Sequence, residues 1–303
     1  MSVRILVTGG TGLLGYNLVK VLSAKEYDVY ATYHSHEPIS IDNTMWLRLD
    51  LEETNQIIDV INSVKPDIIV HTAAYTDVDG CEKNKEKAYV LNYVATKIIA
   101  RQAAKHNSLL IYISTDYVFD GEKGLYREND IPNPINFYGL TKLLGEVAIL
   151  SILGEEHSLI IRVSGLYGYS PTGKKNFGIN ALEKLLRREE VAAFIDQYLS
   201  PTYVYFLSER IVRAIEKDIH GIIHIAGQRM NRYEFATLLA RILDVDEKLV
   251  KPVLMRELKL IARRPKDSSL DTSYAKSIEL NMPSQEECVK HFVETYLREI
   301  RGL

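Results

Sequence analysis

The sequence has no long apolar run, no block of like charge and almost no cysteine, and each absence removes a class of protein. No stretch approaches the roughly twenty apolar residues needed to span a bilayer. The first apolar run, VRILVTGG, carries Arg4 and breaks at glycines, which is also too short for the core of a signal peptide. A cytoplasmic protein with no membrane partner is therefore expected. The net charge of −3 and the pI near 6.3 come with no basic block to follow a phosphate backbone, so nucleic acid is not expected as a partner. Cys81 and Cys288 are far apart and neither belongs to a C-x-x-C; they read as buried or idle thiols, with no disulfide and no metal site. Internal repeats and Gly/Ser-rich linkers are absent too. What remains is an ordinary globular composition, 46% hydrophobic and 25% charged over 303 residues. That is chain enough for two average domains, or for one large domain with an elaborated end, and for a core that needs no staples.

Short β-branched runs alternate with longer stretches of helical period through the first half. Strands are expected at Val3–Thr8, in DVYATY, WLRLD, DIIVHTAA and SLLIYIS, with helices in LLGYNLVKVLSA, in NQIIDVINSV and over a long segment from Glu82 to His106. Apolar strands separated by ten or more residues point to right-handed crossovers and a parallel sheet covered on both faces. The prolines and turn formers of residues 121–136 make a loop. A helix from about Phe137 to Leu153 follows, then a strand at Leu159–Val163, a loop in YSPTGKKN and a last clear strand in GIIHIAG. The expectation is an α/β protein of Rossmann type, a doubly wound parallel sheet over residues 1–160. Residues 161–303 would form mainly a smaller C-terminal substrate-binding lobe, with the strand at 221–226 returning to the main sheet.

Three local patterns suggest chemistry. TGGTGLLG sets Gly9, Gly12 and Gly15 between the first strand and a helix. Glycines there allow a tight turn and a close backbone approach to a pyrophosphate, and the helix N-terminus offers free N–H groups; the plain alternative is a Gly-rich turn. The second strand ends in Tyr33, His34, Ser35 and His36, without the acidic residue that grips an NAD ribose. His34 and Ser35 leave room for a 2′-phosphate, which favours NADP over NAD although no Lys or Arg marks the site. Asp50, ending the third strand, suits the adenine side, or simply caps the helix after it.

The second pattern is NFYGLTKLLGE, in which Tyr138 and Lys142 lie four apart on one helix face with Gly145, while Leu140, Leu143, Leu144 and Val147 line the opposite one. A lysine ammonium beside a phenol favours phenolate and draws its pKa of about 10 toward the working range. Tyr138 would then pass a proton to or from a carbonyl oxygen during hydride transfer; a snorkelling surface pair is the bland alternative. The third is ISTDYVFDG, where a buried strand exits into Ser114, Thr115 and Asp116 and then Tyr117 and Phe119. This is either a strand-to-loop exit or the delivery of a hydroxyl and a carboxylate to a substrate.

Together, TGGTGLLG, STDYVFDG and YGLTK resemble the extended short-chain dehydrogenase/reductases, and more narrowly the dTDP-4-dehydrorhamnose reductase family. The likeness continues through HTAAYTDVDGCE, LNYVAT, RVSGLYG, DQYLSPT and RRPKDSSL, in the family's order and over nearly the whole chain. The resemblance implies a Rossmann domain, a C-terminal substrate lobe and a nucleotide sugar in the cleft between them. It implies Thr115, Tyr138 and Lys142 as the catalytic set: Thr115 on the substrate oxygen, Tyr138 as proton donor, Lys142 on the nicotinamide ribose. Thr11, Gly12, Leu13 and Leu14 would meet the pyrophosphate, Asp50 and Leu51 the adenine, and Ala73, Ala74 and Tyr75 would pass beneath the cofactor. Asn92 matches a position that supports a proton relay in related enzymes, with an ordinary helical polar residue as the alternative. Asp116, Tyr117, Gly165 and Gln197 would lie on the sugar side.

One departure is Gly165, where the family commonly has tryptophan against the sugar; Tyr117, Tyr167, Tyr169 or Tyr198 would have to fill that space. Tyr117 stands where dehydratases of this fold carry a Glu, which disfavours dehydration. An epimerase or another reductase of the same fold, and a binding subunit resembling the regulatory subunit of methionine adenosyltransferase, remain as rival readings. The partner expected is a nucleotide sugar, and a homodimer stays open.

Overall fold

The computed structural model describes residues 2–173 and 175–301; Lys174, in the loop expected around YSPTGKKN, lies outside them. The chain runs β1 Val3–Thr8, α1 Leu13–Ser23, β2 Tyr27–Tyr33, β3 Thr44–Arg48, α2 Thr54–Val64, β4 Ile68–His71, α3 Val78–Lys83, α4 Lys85–Tyr89, a π-helical turn Val90–Val94, α5 Ala95–His106, β5 Leu109–Thr115, α6 Phe137–Leu153 and β6 Ser158–Val163. After β6 come β7 Leu166–Tyr167, α7 Phe177–Leu186, β8 Val191–Phe194, β9 Tyr198–Leu199, β10 Thr202–Tyr203, α8 Val204–Glu216, β11 Gly221–His224, β12 Met230–Asn231, α9 Arg232–Ile242, β13 Val250–Val253, α10 Ser273–Ser277 and α11 Gln285–Arg301.

The main sheet has seven strands, all parallel, in the order β3-β2-β1-β4-β5-β6-β11. This is the Rossmann-type α/β fold expected from the alternation of apolar strands and helical segments. Strand alternation sends Ile5 and Val7 into one apolar layer and Leu6 into the other. The first layer holds α1 and α8 and continues without a break to Phe235 and Phe292. The second holds Ile57, Ile61, Ile99 and Ile149 from the helices of the opposite face. From β1 the chain winds outward through β2 and β3, then returns to β4 on the other side of β1. That reversal opens a crevice beyond the carboxyl ends of β1 and β4, where such sheets bind ligands. Among the described residues no helix is long and apolar enough to cross a membrane.

The segment expected as one helix from Glu82 to His106 is not one. Asn84 leaves helical geometry at φ −129°, ψ 77°, and its side chain accepts from the Lys87 N–H as the cap of α4. An asparagine competes for backbone hydrogen bonds in this way and favours caps over helix interiors. Farther on, the π turn widens the helix around buried Asn92, whose side chain is committed elsewhere.

Candidate active site

The turn after β1 brings the backbone very close to itself. An added Cβ at Gly15 would stand 2.1 Å from the Gly9 carbonyl oxygen, so only glycine lets α1 start there. The first turn of α1 has no acidic residue, and its N-cap, Gly12, has no side chain to cap it. Its N–H groups and positive end therefore face the crevice uncompensated, the arrangement that accepts a phosphate. On these grounds the turn fits a dinucleotide pyrophosphate.

A cleft of about 470 Å³ opens above that turn. Its walls bring together Gly9, Thr11, Gly12, Leu13, Leu14, Gly15, His34, Ser35, Ala73 and Ala74 at one end and Thr115, Asp116, Tyr117, Tyr138, Lys142, Gly165 and Gln197 at the other. Asp50 and Leu51 line an adjoining groove that shares Gly9, His34, Ala73 and Ala74 with the cleft. There His34 Nε2 lies 3.3 Å from Asp50 Oδ2. Asp50 does not cap α2, which begins after Glu53 without a side-chain cap; it accepts instead from the Glu52 N–H at 2.9 Å. The fold also brings Lys87 of α4 to this groove, a cation that the residues around β2 gave no sign of.

Tyr75 and Asn92 line neither cavity. Asn92 Oδ1 accepts from the Tyr75 N–H at 2.7 Å, and its amide donates to the Tyr75 carbonyl at 3.0 Å and to Thr141 Oγ1 at 3.1 Å. It ties the segment after β4 to α6 from behind.

Tyr138 and Lys142 reach the cleft because α6 starts where it does. Asn136 caps it by accepting from the Gly139 N–H at 2.8 Å, and the Phe137 N–H donates to Glu82 at 2.7 Å. The Thr115 hydroxyl, at the end of β5, stands near enough to the Tyr138 phenol to draw its pKa down. It also donates to Asp116 at 3.1 Å and accepts from the Tyr117 N–H at 3.2 Å. Tyr117 packs edge-on to Tyr138 with ring centroids 6.1 Å apart. Burial, partly offset by Thr115, holds the Tyr138 phenol well above its ordinary 10.

The expected pull of Lys142 on that phenol is therefore not what governs it. Lys142 Nζ donates to the Ile113 carbonyl at 2.7 Å and lies 3.9 Å from the centre of the Tyr112 ring. Burial lowers its own pKa to about 7, against the opposing Glu146 carboxylate. Glu146, one turn farther along α6, accepts from Ser114 and from both ends of the Arg162 fork at 3.0 and 2.8 Å. Ser114 is thus a brace between β5 and α6.

The residues expected on the sugar side are more constrained than a loop position would suggest. Asp116 is buried, and it accepts from Ser164, Ser268 and Thr115. Burial pushes its pKa up to about 6, while those hydroxyls pull the other way. Gly165 has φ +49°, and an added Cβ would meet Leu199 Cδ1 at 2.2 Å. Leu199 thus occupies the space next to Gly165. Of the aromatics considered as substitutes, Tyr117 lines the cleft. Tyr167 is stacked into the core with Tyr203, Tyr169 packs against Tyr296 and Tyr198 lies under Arg229. Sequence reasoning also missed Arg232, Lys175 and Asn176, which line the same end. Their signals are weak because Lys175 and Asn176 sit in a loop before α7 and Arg232 opens α9, far apart in sequence.

The family model described as "RmlD substrate binding domain" matches residues 3–298. The crystal structure of dTDP-4-dehydrorhamnose reductase from Bacillus anthracis in complex with NADP is similar at 32% identity and TM-score 0.84, over 96% of this chain and 99% of that one. The probable low-salt glycan biosynthesis reductase Agl14 of Haloferax volcanii is 32% identical over 271 residues, 88% of this chain and 89% of that protein. Methionine adenosyltransferase 2 subunit beta of Bos taurus is also 32% identical, over 282 residues covering 89% of this chain and 80% of that protein.

Proposed function

The chain belongs to the RmlD substrate-binding domain family, and on that premise we propose that it is an NADPH-dependent reductase of a nucleotide-linked 4-keto-6-deoxyhexose. The conversion to test first is dTDP-4-dehydro-L-rhamnose to dTDP-L-rhamnose. The observation that carries this reading is the convergence of Thr115, Tyr138 and Lys142 on one cleft whose other end is the glycine turn.

In this reading NADPH, when bound, supplies the hydride that reaches the C4 carbonyl carbon. The glycine turn and the α1 N-terminus hold its pyrophosphate, with Asp50 and Leu51 beside the adenine. His34 and Ser35 receive the 2′-phosphate, Lys87 adds positive charge at the rim, and the NADP bound to the Bacillus anthracis relative supports the choice over NAD. Tyr138 keeps its proton at neutral pH because burial disfavours phenolate. It is therefore in the right state to protonate the C4 oxygen, with the Thr115 hydroxyl beside it to orient the same oxygen. Lys142 would turn from the Ile113 carbonyl toward the nicotinamide ribose. Asn92 acts at one remove, by fixing the backbone of Tyr75. Asp116 braces the sugar side, and Gln197 and Tyr117 form its wall.

The test is NADPH oxidation over a panel of 4-keto nucleotide sugars, with product stereochemistry by NMR. Net, stoichiometric consumption of NADPH separates a reductase from an epimerase, which regenerates its cofactor. Tyr138→Phe is expected to keep NADPH affinity and lose turnover by roughly 10²–10⁴-fold. Turnover like the wild type's would remove Tyr138 from the mechanism. A protein that binds NADPH but oxidises it with no sugar would move to the binding-subunit reading, which the similarity to methionine adenosyltransferase 2 subunit beta favours.

A further inference from the structure

Arg232 is a cation of the cleft wall whose contacts at the guanidinium are neutral side chains. It is the first residue of α9 and is only partly exposed. Its Nε donates to Gln197 Oε1 at 2.8 Å, and its charge lies near the Tyr117 hydroxyl. The guanidinium carbon stands 4.7 Å from the centre of the Phe177 ring. Gln197 Nε2 in turn donates to the same Tyr117 hydroxyl at 3.3 Å. The other arginines held in this part of the molecule have acids: Arg162 has Glu146 at 2.8 Å, Arg264 has Asp79 at 3.0 Å and Arg229 has Asp267 at 2.7 Å. Among the cleft lysines, Lys175 is paired with Glu183 and Lys142 donates a hydrogen bond to a backbone carbonyl. Among the described residues Arg232 forms no salt bridge; the nearby charge of Arg264 adds to its own, while the Asp116 carboxylate acts on it from beyond ion-pair distance. A desolvated guanidinium with no carboxylate in ion-pair contact is costly to fold around, and it presents a planar fork suited to a carboxylate or phosphoryl group.

Its position narrows what that group belongs to. Arg232, Gly165, Leu166 and Leu199 line both the main cleft and a recess of about 100 Å³, whose remaining walls include Phe177, Pro201 and Phe235. Arg232 is the charged residue of that otherwise apolar recess. Through Gln197 it is linked to Tyr117, whose ring is 6.1 Å from that of Tyr138. A hexose with its reacting carbon at Tyr138 would present its neighbouring substituents to the guanidinium. We propose that Arg232 is a specificity-determining residue that engages an anionic oxygen group next to the hexose ring, either a phosphoryl of the nucleotide diphosphate or a carboxylate on the ring itself. This rests on reading the cleft as a sugar-nucleotide site, and the carboxylate arm would replace the 6-deoxyhexose, whose C6 is a methyl, with a hexuronate.

The experiment measures binding by calorimetry of dTDP, dTDP-glucose and dTDP-glucuronate to the full chain, for the wild type, Arg232→Met and Arg232→Lys. NADPH affinity and thermal melting are read alongside. Arg232→Met is expected to weaken the anion-bearing probe by roughly 10–100-fold. Arg232→Lys is expected to restore part of the loss, with NADPH affinity unchanged. An equal loss for dTDP and dTDP-glucose identifies the phosphoryl as the source. Loss confined to dTDP-glucuronate, with an initial preference for it over dTDP-glucose, identifies the carboxylate. If Arg232→Met does not fold, the lysine variant decides, since it keeps the charge and removes the fork. Unchanged affinities for all three probes in the variants, or no binding of any probe by the wild type, would overturn the assignment. These affinities do not depend on turnover, so a wild type that binds the probes but never oxidises NADPH would remove the reductase reading while leaving Arg232 in its role.

Discussion

Replacing Lys142 by methionine is expected to stabilise the ligand-free protein while removing its activity, and the gain in stability is expected to shrink as pH rises. Lys142 is 2% exposed, and its compensation is a hydrogen bond to the Ile113 carbonyl and the face of Tyr112. Burial takes its pKa from the ordinary 10.5 to about 7. At about 1.4 kcal/mol per tenfold, that displacement costs the folded state roughly 5 kcal/mol. Below about pH 7 the full cost is present, because both folded and unfolded chains carry the proton. Between the folded and unfolded values the unfolded chain binds the proton that the folded chain has lost, so stability rises with pH.

Methionine removes this dependence. It also forfeits the hydrogen bond and the cation–π contact, together roughly 2–4 kcal/mol. The net gain near neutral pH is therefore about 1–3 kcal/mol. The decisive quantity is the slope: the difference between variant and wild type should fall by roughly 2 kcal/mol from about pH 7 to about pH 9. Urea denaturation of both proteins across that range measures it, and the subtraction cancels groups common to both, such as Cys81 and Cys288, whose thiols burial pushes up to about 12. Parallel stability curves would refute the reasoning, since they would mean that Lys142 titrates alike in the folded and unfolded chains.

Glu146→Gln should cost roughly 3–5 kcal/mol by leaving Arg162 charged and unpaired in a site where both side chains are almost fully buried. A lowered urea midpoint at constant slope would register it, and the paired change Glu146→Leu with Arg162→Met should recover much of the loss. Gly15→Ala should weaken NADPH binding and destabilise by about 1–3 kcal/mol, because its methyl would press on the Gly9 carbonyl with no flexible neighbour to yield. Fluorescence titration with NADPH and a melting curve test both effects; unchanged affinity would show that the turn does not carry the cofactor.

The sequence by itself determined whatever follows from short-range geometry. Strand and helix periods set the parallel sheet, and TGGTGLLG set a turn that only glycines permit. The spacing of four between Tyr138 and Lys142 put both on one face of α6, and both line the cleft. Where a local signal was outweighed, the cause was a side chain that bonds across the fold or competes with the backbone: Asn84 ends a helix, and Asn92 clasps Tyr75. The tertiary structure alone decided the rest. It set Leu199 beside Gly165, carried Lys87 to the groove that holds Asp50, and joined Gln197 to Arg232 across 35 residues of chain. It also decided the protonation states of Tyr138 and Lys142. Residue spacing brings a phenol and an ammonium to the same face, but the surrounding burial and the partner each group finds set the cost of its charge.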